Sequence, residues 1–250
     1  MPDKRLFGKT IRLNNVDNID TYPEDISQMF SWMQNLELPK KPTILDVGAN
    51  VGLFSLSYAT MFEEAEIYSF EPVPFIFNYL NQNLKINPNL SNNVHTYNFG
   101  MSNCIEQKQL SIPVPQQHER YIKDLDIRLY SALGQGKEKF DAQFTLIDDW
   151  VDDFQIRSVN FIKIDVEGYE YLVLEGATKT LLSFKPVVMF ELNQLTLTLS
   201  NRSADDYLRF ANDHGYSVFG LQYGYKSELL AINSAEQVGL ISDLILFPSS

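Results

Sequence analysis

Three stretches of the chain set acids and glycines where apolar runs stop, the places at which an α/β sheet puts its chemistry. The first is ILDVGANVGLFS, Ile44 to Ser55, with the pattern Asp46-x-Gly48-x-x-x-Gly52 and Asn50 between the glycines. The second is YSFEP, in which Glu71 closes a run. The third is FIKIDVEGYE, which gathers Asp165, Glu167 and Glu170; after it, MFEL sets Glu191 at the end of another run.

The first stretch discriminates among nucleotide ligands. A dinucleotide-binding turn carries glycines at its first, third and sixth positions, the second of them so that backbone can approach a pyrophosphate. Here those positions read Gly48, Asn50 and Leu53. The acid before the turn repels phosphate, yet it can accept a hydrogen bond from an amino group or attract a cation. The turn therefore favours a nucleoside bearing positive charge, and S-adenosylmethionine, with its sulfonium and α-amino group, is such a ligand. Glu71 lies about 20 residues beyond the turn, where an acid can take both ribose hydroxyls. NFGMSN, Asn98 to Asn103, ends the third strand and would lie beside an adenine, with Met101 over the ring and Ser102 or Asn103 at its edge. The structural alternatives are ordinary turn glycines, a solvated strand-end acid and a plain loop.

In the third stretch Asp165 emerges nearest the expected pocket, where it can balance a sulfonium or bind the methionyl amino group. Glu167 sits in the turn, either facing an acceptor hydroxyl as general base or complementing the dipole of the next helix; Glu170 supports that helix's N-terminus. Glu191 lies beside the same cleft or is a solvated strand end. Methyl transfer from a sulfonium disperses charge in its transition state, so positioning in a dry cleft supplies most of the acceleration. A hydroxyl acceptor must still lose its proton, to Glu167, Glu191 or a histidine. His95 and His214 read as structural, while His118, in an irregular segment, is the histidine that would reach a substrate. Asp165, Glu167 and Glu191 also offer oxygen ligands for Mg²⁺, but carboxylates alone do not specify such a site, and metal-free catalysis is preferred.

These residues need a sheet to bring them together. From Thr43 short apolar runs alternate with helical patterns: TILDV, VGLFSLSYATMF, EIYSF, PFIFNYLNQNLKIN and VHTYNF read β-α-β-α-β. Gln107 to Phe144 breaks the rhythm as an insertion of hairpin and loop. Regularity returns with VNFIKIDV, a helix over EYLVLEGATKTLLSF, KPVVMFEL, a helix over ADDYLRFANDHG, then YSVFGL and LISDLILF. The last two strands have no convincing helix between them, so an antiparallel hairpin closing one sheet edge is expected. A parallel sheet with helices on both faces binds ligands beyond the carboxyl ends of its strands. Met1 to Pro42 is an N-terminal extension, with a helix over Glu24 to Leu36 that packs on the domain's edge; residues 43–250 form the main domain.

With 250 residues, 44% of them hydrophobic, the chain can fill one α/β domain. Its 32 acids and 20 bases give a formal charge of −12, which repels phosphate backbones and makes nucleic acid a poor partner. No window approaches the roughly 20 apolar residues of a membrane span, and the N-terminus has no apolar leader, so a cytoplasmic protein is expected. Cys104, the single cysteine, is expected to be a buried small hydrophobe.

Taken in order, ILDVGANVGLFS, FEPVP, FTLIDDW, FIKIDVEGYEYLVLEGA and PVVMFEL resemble the FkbM-type S-adenosylmethionine-dependent methyltransferases. The resemblance covers roughly Thr43 to Leu192. It implies a Rossmann-like class I methyltransferase fold with a seven-stranded, mostly parallel sheet whose last strand is antiparallel. It also implies O-methylation of a small-molecule hydroxyl, on a sugar or a polyketide-type natural product. Carried over, Asp46, Gly48, Asn50, Gly52 and Glu71 become cofactor residues, and Asp165, Glu167 and Gly168 shape the catalytic end of the cleft. The segments outside the resemblance would hold the acceptor, where Tyr121, Tyr130, Tyr223 and Tyr225 suit stacking on a flat face. The competing readings are a protein or lipid acceptor and, from another class, a degenerate fold acting as an interaction module. Oligomeric state is not legible in the sequence.

Overall fold

The computed structural model describes residues 3–14, 23–112, 138–193, 197, 200–222, 228–239 and 241–249. His118, Tyr121, Tyr130, Tyr223 and Tyr225 lie outside them. A short antiparallel hairpin opens the chain, β1 (Lys4–Leu6) and β2 (Lys9–Ile11). The expected helix over Glu24 to Leu36 is a single turn, α1 (Ser27–Phe30), running into a 3₁₀ segment at Ser31–Asn35. Three residues per turn there stacks Phe30 over Met33, and both are buried.

The expected β-α-β-α-β run follows as β3 (Thr43–Val47), α2 (Leu53–Met61), β4 (Glu66–Phe70), α3 (Pro74–Ile86) and β5 (Val94–Tyr97). Next come β6 (Gly100–Met101), β7 (Glu106–Ile112), β8 (Glu138–Thr145) and α4 (Ile147–Asp153). Then β9 (Phe161–Ile164), α5 (Glu170–Glu175), α6 (Thr178–Phe184) and β10 (Val187–Asn193) lead to α7 (Ala204–Asp213), β11 (Tyr216–Gln222), β12 (Glu228–Ala231) and β13 (Ile241–Pro248). The single helix expected over EYLVLEGATKTLLSF is two, α5 and α6, broken at Gly176. A Cβ on Gly176 would lie 2.0 Å from the carbonyl oxygen of Ser102, so only glycine lets the two backbones approach.

Among the described residues the main sheet has eight strands in the order β12-β11-β13-β10-β9-β3-β4-β5. β5, β4, β3, β9 and β10 are parallel, while β13 runs antiparallel to both β10 and β11. Seven of these strands follow the implied class I order, and β12 is an eighth, antiparallel to β11, inside what reads as the loop Gln222 to Val238. β11 and β13 pair antiparallel as expected, with β13 between β10 and β11, but the edge of the sheet on this side is β12 rather than β11. Leu244, Ile245 and Leu246 of β13 are all buried, which requires cover on both faces, whereas the partly exposed β12 suits the edge.

Strand residues alternate between two cores. Ile44, Ile67, Phe161, Met189 and Ile245 face one side with α2, α3 and the N-terminal segment; Leu45, Phe70, Ile162, Phe190 and Leu244 face the other with α4 to α7. The N-terminal segment is stitched to the first layer by Lys9 Nζ donating to Thr60 O (3.1 Å) and Asn14 N donating to Asn83 Oδ1 (2.7 Å). A second sheet, β6-β8-β7, stands beyond the carboxyl end of β5. No helix among the described residues is long and apolar enough to cross a membrane.

Candidate active site

The sheet brings the carboxyl ends of β3, β4, β9 and β10 side by side. After β3 the chain turns through three residues of positive φ: Gly48 (79°), Asn50 (51°) and Gly52 (90°). Gly48 and Ala49 donate their backbone N–H groups to Phe70 O, which ties the turn to β4. A Cβ on Gly48 would meet the Asp165 carbonyl oxygen at 1.9 Å, so this glycine is needed for the approach of β9.

Glu71 is fully buried. Its Oε2 accepts from Asn50 N (3.0 Å) and its Oε1 from Val73 N (2.9 Å), so the acid holds the turn from the neighbouring strand end. Asp46 is also fully buried, beneath the turn, where Ser55 Oγ donates to its Oδ2 at 2.5 Å and bonds in turn with Ser69 Oγ at 2.8 Å. Burial pushes the Asp46 carboxyl up, against the pull of the nearby Lys163 ammonium.

Lys163 has no counterpart among the residues singled out from the sequence. Its Nζ donates to Gly48 O at 3.2 Å and lies 3.2 Å from Asp165 Oδ2 and 3.7 Å from Asp46 Oδ1. A signal was available: a lysine inside FIKI, in a parallel strand covered on both faces, has no solvent to reach and must find partners within the protein.

Asp165 is about one-third exposed, with 37% of its side-chain surface open to the cleft. Glu170 starts α5 as expected of a helix support, and its buried carboxylate accepts from Val166 N and Gly168 N. Those bonds hold the turn in which Glu167 takes a φ of 54°. Burial, with the charges of Asp165 and Glu191, pushes Glu167 up to about 9. Glu191 sits in β10 opposite Asp243 of β13, and burial with the charges of Asp165 and Asp243 raises it to about 7. Asp243 is a second member of this cluster that no motif announced.

Met101 is buried and lines a narrow apolar cavity with Gly48, Pro72 and Val166. Phe144 of β8, Leu110 of β7 and Tyr169 close it from the second sheet's side. Ser102 is fully buried, and its hydroxyl has no hydrogen-bond partner among the described residues. Asn103 instead donates to Glu175 Oε2 (2.9 Å) at the surface. Cys104, expected inside, is exposed, because it falls in the turn between β6 and β7 rather than on a strand face. His95 pairs with Glu66 and His214 with Phe210 O. Among the described residues, no group of three or more His, Cys, Asp or Glu is arranged to hold a metal ion.

The family model described as "Methyltransferase FkbM domain" matches residues 46–218, well over half of the chain. The chain is 31% identical to Methyltransferase sdnD of Sordaria araneosa over 160 residues, 56% of this chain and 61% of that one. It is 24% identical to Methyltransferase 1 of Beauveria bassiana over 147 residues, 55% of this chain and 59% of that one. The chain thus spans about three-fifths of the length of these curated relatives. The crystal structure of Methyltransferase FkbM from Methylobacillus flagellatus superposes with a TM-score of 0.53 at 18% identity, covering 86% of this chain and 45% of that one, a likeness of fold. With the family match running from the acid of the glycine turn through the acid cluster to β11, the chain belongs to the methyltransferase FkbM domain family.

Proposed function

We propose that the protein transfers a methyl group from S-adenosylmethionine to a hydroxyl of a small molecule, a sugar or a polyketide-type product. The observation that carries this reading is the place of Glu191 in β10, opposite Asp243 of β13, where burial and the charges of Asp165 and Asp243 raise its carboxyl to about 7. A base is most effective when its pKa lies near the working pH, and Glu191 meets that condition in the cleft where an acceptor would enter.

Features of the site fit the donor. The hydroxyl of Ser102, buried beside Met101 with no partner among the described residues, can bond an adenine edge, and Met101 offers its apolar side chain to the ring. Glu71, beside the turn at the end of β4, is the acid that would take the ribose hydroxyls, and Asp165 presents the open carboxylate for a cationic group. Gly48, Asn50 and Gly52 shape the turn around these groups, while Asp46 acts from beneath it. When bound, S-adenosylmethionine supplies an electrophilic methyl group on a sulfonium.

At neutral pH Glu167, raised to about 9, holds a proton and can donate a hydrogen bond, while Glu191 is partly ionised and takes the acceptor's proton. The second sheet, with Phe144, Leu110 and Tyr169, excludes water from the donor's side of the cleft. The reaction runs without a metal on this reading, since the carboxyls supply the base.

The test is transfer of labelled methyl to a panel of hydroxylated sugars and polyketides, by the wild-type protein and by Glu191→Gln. The variant should lose about 10²–10⁴-fold in kcat with much less change in donor KM. Transfer by wild type that Glu191→Gln leaves intact would remove Glu191 as the base. Binding of the donor with no transfer to any acceptor would favour an interaction module.

A further inference from the structure

Among the described residues, the cleft holds a buried cation, Lys163, amid its acids. Lys163 keeps only 5% of its side-chain surface exposed, in a box made by β3, the turn after it, α2 and the end of β9. Its Nζ contacts Gly48 O (3.2 Å), Asp165 Oδ2 (3.2 Å) and Asp46 Oδ1 (3.7 Å), and lies 4.6 Å from the centre of the Phe54 ring. Asp46 is closed off from solvent beneath the turn, and the Lys163 ammonium lies between it and Asp165.

We propose that Lys163 is the positioning residue that sets how strongly the cleft prefers a sulfonium ligand over the neutral thioether left after transfer. The proposal rests on the S-adenosylmethionine reading of the site. Methyl transfer removes the positive charge from sulfur, so each uncompensated carboxylate near it stabilises the bound donor more than the transition state. It also opposes nothing in the neutral product, leaving the balance of the two affinities to the net field. Asp46, Asp165 and the ionised fraction of Glu191 give that field its negative sign, and the Lys163 ammonium offsets part of it. By holding Gly48 O and Asp165 together, the same group fixes where the open carboxylate points. Lys163 acts through these neighbours and does not touch the substrate.

Loss of the ammonium alone would let buried Asp46 take up a proton and hide the change in charge. The comparison is therefore made with that acid already neutral, between Asp46→Asn and Asp46→Asn/Lys163→Gln. Each protein is titrated calorimetrically with S-adenosylmethionine and with S-adenosylhomocysteine. The ratio of the two dissociation constants should favour the sulfonium by roughly tenfold more in the double variant than in the single. Asp46→Asn/Lys163→Arg should keep the ratio of the single variant.

A purely structural role would weaken both ligands together; equal ratios in the single and double variants would overturn the proposal. Lys163→Met in the same background replaces glutamine if the amide variant fails to melt cooperatively. Asp46→Asn alone leaves the ammonium less well matched and should lower the sulfonium preference below that of wild type, and an unchanged ratio would also count against the proposal. Failure of the cofactor reading is seen separately, as wild type that binds neither ligand.

Discussion

At the end of β9 carboxyls outnumber cations, and burial decides which of them are charged at neutral pH. Glu167, Glu170 and Glu191 are all raised, first by burial and then, for Glu167 and Glu191, by one another's neighbours. A carboxyl whose pKa rises on folding binds its proton more tightly in the folded state, so its contribution to stability is whole at acid pH and declines as pH climbs towards the folded value. The folded protein should thus lose stability from the usual carboxylate range up to about 9, the value reached by Glu167. Glu167→Gln, uncharged throughout, should remove the part of that fall between about 7 and 9; melting temperatures at pH 6, 7.5 and 9 check this, and parallel curves for the two proteins would contradict it. At this scale the sequence was informative where acids and glycines follow a motif, as with Asp46, Gly48, Glu71 and Asp165. It was uninformative for Lys163 and Asp243, whose meaning depends on which strand lies opposite. A carboxyl's protonation is also set by burial, and burial is a property of the folded chain.

Among the elements, the turn after β9 and the break between α5 and α6 carry the site's shape. Glu170 closes its turn with bonds to Val166 N and Gly168 N, and these keep Glu167 in a conformation that non-glycine residues adopt at a cost. Glu170→Ala should lower stability by about 1–3 kcal/mol, read from chemical denaturation, and slow transfer by releasing Glu167. Gly176→Ala drives a methyl into Ser102 O, and should cost about 1–3 kcal/mol while weakening donor affinity through the displaced Ser102. A variant as stable as wild type with unchanged affinity would show that the approach of the two backbones is not needed. Long periodic segments such as α3 and the strands β3, β4 and β9 were legible because burial on defined faces leaves a pattern in the residues. β1, β2, β6 and β12 are two to four residues long, too short for a period, and exist because a neighbouring strand accepts their hydrogen bonds. The position of β13 between β10 and β11 was likewise a matter of pairing, which its own apolar run allows but does not specify.

The molecule is built on an acidic, mostly parallel sheet whose β3, β4, β9 and β10 end side by side. The chain carries a formal net charge of −12, and several of its acids gather at the strand ends. Fold class followed from the alternation of strand and helix and from the ordered motifs. The central claim is that this cleft binds S-adenosylmethionine, and calorimetric titration of the wild-type protein beside Glu71→Ala tests it most directly. One-to-one binding by wild type, lost in a variant that still melts cooperatively, is the result expected from the bonds Glu71 makes to the turn. Folded wild-type protein that takes up no S-adenosylmethionine would contradict the account.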